Sequence, residues 1–409
     1  MTPRTSNASV LLPTAVVYLA GFAGALNVGK LPPSLTALQL AFDMTLLQAS
    51  LLVSAFQVFG MALGIFGGLL ADRFGARRLM GTGLALLALA SAAGAASTGP
   101  AMLLACRALE SAGFILAVLP GPVLMRRLLP PSRMSVALGV WGSYMPAGMV
   151  AALLATPWLL RAGGWPAAWW ACAVASASVL GLLFACVPAD PRHAAGVTAR
   201  PRIGALARAT LAARGPWLLA LAFGLYAGQW MVVFSFLPTI YEAGGIAPAA
   251  AASLSALGVA VNAVGNVAAG GLVARGASRA RVLSVASATM ALAAWVAFGS
   301  HAPFAWRYVA VLAFSCVGGL VPGTLFTTAP RFAPHAGAIS TTTGLMQQGS
   351  NLGQFVTPPL VATVVGAAGQ WQHTWWVTSA LACANVGVAL AIGRLDRELQ
   401  ARGPAGAPA

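Results

Sequence analysis

Charge is what this sequence most lacks. Only 7% of its 409 residues are Asp, Glu, Lys or Arg, and just 7 are acidic, against roughly 25% charged residues in an ordinary soluble protein. With 59% hydrophobic residues and a mean hydropathy of +0.83, too few polar groups remain to cover a water-facing surface. Lipid is therefore the solvent for most of the chain. Cysteine is sparse and unpatterned. Cys106, Cys172, Cys186, Cys316 and Cys383 sit inside apolar runs with no CxxC spacing, which excludes a disulfide framework and a zinc site. His193, His301, His335 and His373 fall in or near loops and never pair at ligand spacing, so neither a metal nor a cofactor is expected. No nucleotide-binding fingerprint, serine elbow or HExxH occurs, and no enzyme activity is expected. The net charge of +16 is not a nucleic-acid signal, because no basic helix face or aromatic platform presents it.

Long apolar runs are what the sequence does have. A spanning helix needs about 20 mostly apolar residues. Runs of that kind fall near 11–29, 46–70, 79–98, 101–128, 134–160 and 165–187, then near 216–240, 248–274, 281–300, 306–329, 338–362 and 372–393. The reading is an all-α membrane protein of twelve transmembrane helices in two pseudo-symmetric six-helix bundles. One bundle is 1–187 and the other 216–409 with a short tail; 188–215 is a cytoplasmic linker. The start of the chain loosely imitates a secretory signal, but its apolar run continues past Ala25 and reads as a retained first helix.

Basic residues orient these spans. With both termini cytoplasmic, every Lys and Arg except Lys30, Arg107, Arg161 and Arg307 falls on the inner side. That asymmetry follows the positive-inside rule and is the source of the net charge. The expected location is the inner membrane, with the lipid bilayer as surroundings.

The two halves echo each other at an offset near 202 residues. Gly67-Gly68-Leu-Leu-Ala71 matches Gly270-Gly271-Leu-Val-Ala274; Pro120-Gly121 matches Pro322-Gly323; Gly142 and Pro157 match Gly344 and Pro359. Two parallel repeats are a transporter plan, with the solute site between them near the midplane.

After the second run the sequence reads Gly68-Leu-Leu-Ala-Asp72-Arg73-Phe-Gly75-Ala-Arg77-Arg78. It resembles the loop signature of the major facilitator superfamily, G-x-L-A-D-R-x-G-R-R, departing at Ala76. Arg107-Ala-Leu-Glu110-Ser-Ala-Gly113 resembles the family's second signature, R-x-x-Q-G-x-G, with Glu110 in place of Gln and Ser111 in place of Gly. Lys30-Leu-Pro-Pro and the polar eleventh span are similar to the cyanate and nitroimidazole permease branch. The resemblance implies that Gly68, Asp72, Arg73, Gly75, Arg77 and Arg78 form a gate that clamps the halves together on the cytoplasmic side. It also implies a link between the second signature and proton coupling. The antiporter pattern of the fifth span is poorly matched by Tyr144-Met-Pro146-Ala-Gly148.

Intramembrane polar residues are the candidate site. Arg107 and Glu110, three apart, share a helical face, and a mid-membrane charge costs at least ~2.5–3.5 kcal/mol. Two readings stand for them. One is a self-neutralising packing pair; the other is a relay in which Glu110 accepts a proton when Arg107 turns to an anionic solute. Lys30, the only lysine, follows Asn27 and either snorkels to the interface or offers a cationic centre to an entering anion. Gln347, Asn351 and Gln354 form a polar stripe in the eleventh span, Asn262 and Asn266 another in the eighth. Tyr226 and Gln229 share a face of the seventh, and Trp141 and Tyr144 of the fifth. Interhelical hydrogen bonding and a water-filled cavity both account for such groups.

The expected function is secondary active transport, by alternating access, of a small anionic solute, with protons as candidate coupling ions and the protein acting as a monomer. Asn27, Lys30, Arg107, Tyr144, Gln229, Asn262, Gln347 and Asn351 would bind the solute, and Glu110 would couple protons. The alternative within transport is a proton-coupled efflux pump for apolar drugs. An intramembrane enzyme or a sensor would need convergent His, Asp or Cys groups or a polar output domain, and neither is found in the sequence.

Overall fold

In hydrocarbon each backbone N–H and C=O must find its partner within the structure, and a helix meets that demand inside one segment. The computed structural model describes residues 7–63, 75–130, 133, 137, 140–190 and 203–401, and every regular element among them is helical. Gly68, Asp72 and Arg73 of the expected gate lie outside the described residues.

Among the described residues, 9 helices are long and apolar enough to cross a bilayer, from Leu11–Phe42 to Trp371–Ala401. Their bounds follow the apolar runs: the run at 248–274 is the helix Pro248–Ala274, and 281–300 falls on Arg279–Gly299. One element, Tyr144–Cys186, has 43 residues. At ~1.5 Å per residue it would reach roughly 65 Å, about twice a hydrocarbon core. It breaks at Gly163 and Gly164, the latter at φ +69°, where a side chain would be strained. That break separates the expected fifth and sixth spans. Ile339–Ala368 carries the expected eleventh; its Thr, Gln and Asn residues hold it below the hydropathy of the others. The second begins as Leu46–Ala55 and Val58–Leu63.

Exposure departs from the pattern of a soluble protein at both extremes. Leu89 and Val267 are 70% and 79% exposed, whereas Asn27, Glu110 and Gln229 are 0% exposed. Large apolar side chains outside, with charged and amide groups enclosed among apolar ones inside, are the pattern of a lipid-solvated bundle.

The described chain forms two compact units. The first takes residues up to Thr198 together with Phe234–Ala260. In it Asn7–Gly29 packs along Tyr144–Cys186, and Ala76–Ala95 lies against both Pro100–Val118 and Tyr144–Cys186. Val17, Met80, Leu84, Leu87 and Leu183 belong to its core. The second takes Ala199–Val233 and the chain from Val261 onward. There Arg279–Ala294 packs on Thr374–Ala401 and Phe304–Gly318. The first half of Arg214–Ala243 runs close beside Ile339–Ala368 through Gly224, Gly228, Gly349 and Gly353. The expected linker contains a helix of its own, Ile203–Ala212, whose Thr210 hydroxyl pairs with that of Thr341 at 2.6 Å.

Candidate functional site

The centre of the first unit is a charged network. Lys30, one residue past the Asn7–Gly29 helix, donates through Nζ to Glu110 Oε1 at 2.6 Å, Ser91 Oγ at 2.7 Å and Asn27 Oδ1 at 2.8 Å. Arg107 donates from the other side, to Glu110 Oε2 at 2.6 Å and to the Asn27 carbonyl at 2.7 Å, while its Nε reaches the Leu52 carbonyl at 3.3 Å. All three charged side chains are buried, Lys30 and Arg107 at 1% exposure and Glu110 at 0%. The aromatic faces of Trp169 and Phe56 close the network, 4.6 Å from Lys30 Nζ and 4.5 Å from Arg107 Cζ. Lys30 therefore does not snorkel. The Arg107–Glu110 pair anticipated from i,i+3 spacing is present, but Glu110 serves two basic groups, so with Lys30 protonated the network carries one excess positive charge. Ser91, Trp169 and Phe56 gave no sequence signal; a single serine among alanines and one of 12 tryptophans have no periodicity to mark them.

The second unit has polar clusters without charge. Asn262 Nδ2 donates to Tyr226 Oη at 2.9 Å and to the Ser315 carbonyl at 2.8 Å, and Asn266 Nδ2 donates to Asn262 Oδ1 at 3.0 Å. Gln229 spends its amide N–H on the Leu225 carbonyl at 3.1 Å, leaving its buried Oε1 without a partner among the described residues. The Asn351 amide nitrogen is likewise buried and unpartnered there. Such groups are costly in a protein interior, and a polar ligand would satisfy them. Gln347 is part-buried on the same helix as Asn351. Tyr144 lies in the first unit against Trp141, with ring centroids 4.8 Å apart.

A third arrangement occurs once in each unit. The Ala76–Ala95 helix begins after Gly75, which has no side chain to cap it. Asp190 does so from far along the chain: its two carboxylate oxygens accept the backbone N–H of Arg77 and Arg78, each at 3.1 Å, and Arg127 Nη1 donates at 2.7 Å. Gly75 is at φ +87°, and a Cβ there would lie 2.7 Å from Asp190 Cγ, so the position requires glycine. In the second unit Asp396 accepts from Arg279 Nη1 at 3.4 Å and from Arg331 Nε. Arg279 follows Arg77, Arg331 follows Arg127 and Asp396 follows Asp190 at nearly the repeat offset. Neither aspartate was singled out from sequence, because the partners come together only in three dimensions.

The profile of the Major Facilitator Superfamily matches residues 17–358. The chain belongs to this superfamily. An uncharacterized MFS-type transporter of Mycobacterium tuberculosis is 32% identical over 131 residues, a match covering 32% of this chain and 22% of that relative. The fold is that of solved transporters. A bacterial homologue of the human lysosomal transporter Spinster, inward-facing and unoccupied, superposes at a TM-score of 0.77 with 14% identity, over 96% of this chain and 98% of that one. A variant of the nucleoside transporter NupG gives 0.75 with 12% identity, over 93% and 99%.

In a superfamily whose solved members share this fold, the residues of interest are those placed inside the helices. Asn27, Lys30, Arg107 and Glu110 come together; Asn262, Gln229 and Asn351 belong to the other unit. Of the gate residues described, Gly75, Arg77 and Arg78 converge on Asp190. Burial raises the Asp190 pKa, but the two backbone N–H groups and Arg127 outweigh it and hold the carboxyl below its ordinary value. Its stabilisation is thus present at neutral pH and lost as pH falls through the depressed folded-state pKa. Asp190→Ala should lower thermal stability at pH 7 by the ~0.5–2 kcal/mol of a lost helix cap. The deficit should shrink as pH falls below about 4, the unfolded-state value, and disappear below the depressed folded-state pKa. A deficit independent of pH would exclude this role.

Proposed function

We propose that the protein is a secondary active transporter moving a small anionic solute across the inner membrane by alternating access, with both termini cytoplasmic. In this reading residues 1–187 and 216–409 are the moving halves, joined by 188–215. The loop from Gly68 through Asp72 and Arg73 to Gly75, Arg77 and Arg78 is the cytoplasmic gate. Protons couple to transport through the network that contains Glu110.

One observation supports an anion above all: two cations share a single buried carboxylate. The excess charge is expensive in a low-dielectric bundle, and a bound anion compensates it. Unpartnered amide groups on Gln229 and Asn351 add donor and acceptor capacity for the remainder of a solute. The proton-coupled efflux of apolar drugs would call instead for an acid free to take up a proton.

The test is a thermal-shift series on purified protein against nitrate, cyanate, formate and benzoate, with neutral amides and lipophilic aromatics as comparators. At least one anion should stabilise the protein in proportion to ln(1 + [L]/Kd), about 2.7 kcal/mol at a hundredfold excess over Kd. Arg107→Ala should abolish the shift. Stabilisation by aromatics alone would overturn the anion reading.

A further inference from the structure

We infer that Lys30 is the group that gains and loses the proton during transport, with Glu110 as the fixed counter-ion of both cations. This rests on the reading of the solute as an anion.

Three groups in the network can carry charge. Arg107 cannot give up its proton in a protein. Protonating Glu110 would leave two cations and no anion in a volume with 0–1% exposure, and would cost one of two charge-assisted bonds at 2.6 Å, since each carboxylate oxygen already accepts one. Deprotonating Lys30 does the opposite: it leaves Arg107 and Glu110 as a neutral ion pair. Of the two changes open to the network, only that one removes the excess charge.

The surroundings of Lys30 can serve both states. Facing it are Asn27 from the preceding helix, Ser91 from Ala76–Ala95, Glu110, Arg107 and Cys106 from Pro100–Val118, and Trp169 and Cys172 from Tyr144–Cys186. Asn27, Ser91 and Glu110 supply three acceptors, matching the three N–H groups of an ammonium. The Ser91 hydroxyl donates to the Trp169 carbonyl at 2.9 Å. When Lys30 is neutral, that hydroxyl can swing to donate to the amine lone pair, leaving two N–H groups for Glu110 and Asn27. The proton itself passes from Nζ to water on whichever side the network opens.

Charge then dictates coupling. With no solute and Lys30 neutral, the network sums to zero. With a monovalent anion bound and Lys30 protonated, it again sums to zero. A protonated empty network carries +1, and an anion beside neutral lysine carries −1. The two neutral states change sides at least cost, so one proton travels with one anion in the same direction.

The experiment measures proton uptake by detergent-purified protein, in weak buffer with a pH dye, on adding whichever of nitrate, cyanate, formate or benzoate gives the largest thermal shift. Wild type should take up about one proton per bound anion, and its affinity should fall about tenfold per pH unit where Lys30 is neutral. In Lys30→Arg, uptake per bound anion should fall to zero and affinity should be flat between about pH 6 and pH 9. Should arginine not fit, Lys30→Met, which like the neutral amine carries no charge, should lose less stability than Glu110→Ala while losing both the anion-induced shift and the proton uptake. Proton uptake that persists in Lys30→Arg, or a Lys30→Met protein that unfolds as readily as Glu110→Ala, would overturn the assignment. Anion binding to wild type without proton uptake would overturn it while leaving the solute reading standing; no anion binding at all would remove both.

Discussion

Glu110→Ala should be among the most damaging single substitutions in the chain, lowering stability by about 3–5 kcal/mol, the usual consequence of deleting one partner of a buried ion pair. At ~2–4 °C per kcal/mol this amounts to a fall in melting temperature on the order of 10 °C. The loss is large because Glu110 answers two cations at once. Without it the Arg107 guanidinium, which stays charged, keeps among the described residues only the carbonyls of Asn27 and Leu52 and the face of Phe56. Lys30 is left with Asn27, Ser91 and the Trp169 ring. Arg107→Leu should be milder, because Lys30 then still neutralises the carboxylate. The double variant Arg107→Leu/Glu110→Leu should recover part of what Glu110→Ala loses, since exchanging a buried pair for apolar groups of similar volume is often near neutral. A double-mutant cycle over positions 107 and 110 reads this coupling directly and should give ~1–3 kcal/mol. Strict additivity would mean that the two side chains do not act as a pair.

Sequence carried the fold further than the site, for identifiable reasons. Hydropathy is a local property, so runs such as 248–274 and 281–300 became helices with nearly the expected bounds. Even the joint inside Tyr144–Cys186 was legible, because Gly163, Gly164 and Pro166 interrupt the apolar run where the chain must turn. Arg107 and Glu110 were legible as a pair because three residues of helix place them on one face. Lys30 stood out as the sole lysine, but its attachment to Glu110 was not foreseeable. That contact joins residues 80 apart, on helices whose mutual register no single-sequence period encodes. Asp190 was obscured differently: it lies in the most polar stretch of the chain, where a linker is the natural reading. Its role as the cap of a helix 113 residues earlier exists only once the helices have packed.

The glycines of the second unit predict an effect of comparable size with a different origin. Gly224 and Gly228 on Arg214–Ala243 face Gly349 and Gly353 on Ile339–Ala368, a G-x-x-x-G spacing on each helix. Without side chains the two backbones approach closely, as small residues allow in membranes. A Cβ on Gly353 would press into the Gly224 carbonyl oxygen and lie 2.7 Å from its carbon; one on Gly224 would lie 2.7 Å from the Gly349 oxygen. The obstacle is backbone, which cannot swing aside, so Gly353→Ala must force the helices apart. The expected cost is ~1–3 kcal/mol. At Gly366, on the same helix, a Cβ would meet nothing within 4 Å among the described residues. There the same change only removes the helix penalty of glycine and should stabilise by up to ~1 kcal/mol. Opposite signs from one chemical change on one helix separate close packing from helix propensity. The displacement at Gly353 also reaches the neighbours that hold polar groups: Gly228, whose Cβ would meet Thr357 Oγ1, directly precedes Gln229. Gly353→Ala should therefore weaken solute-induced thermal shifts as well as lowering the melting temperature, whereas Gly366→Ala should do neither. Equal melting temperatures for the two variants would show that these helices are not in close contact.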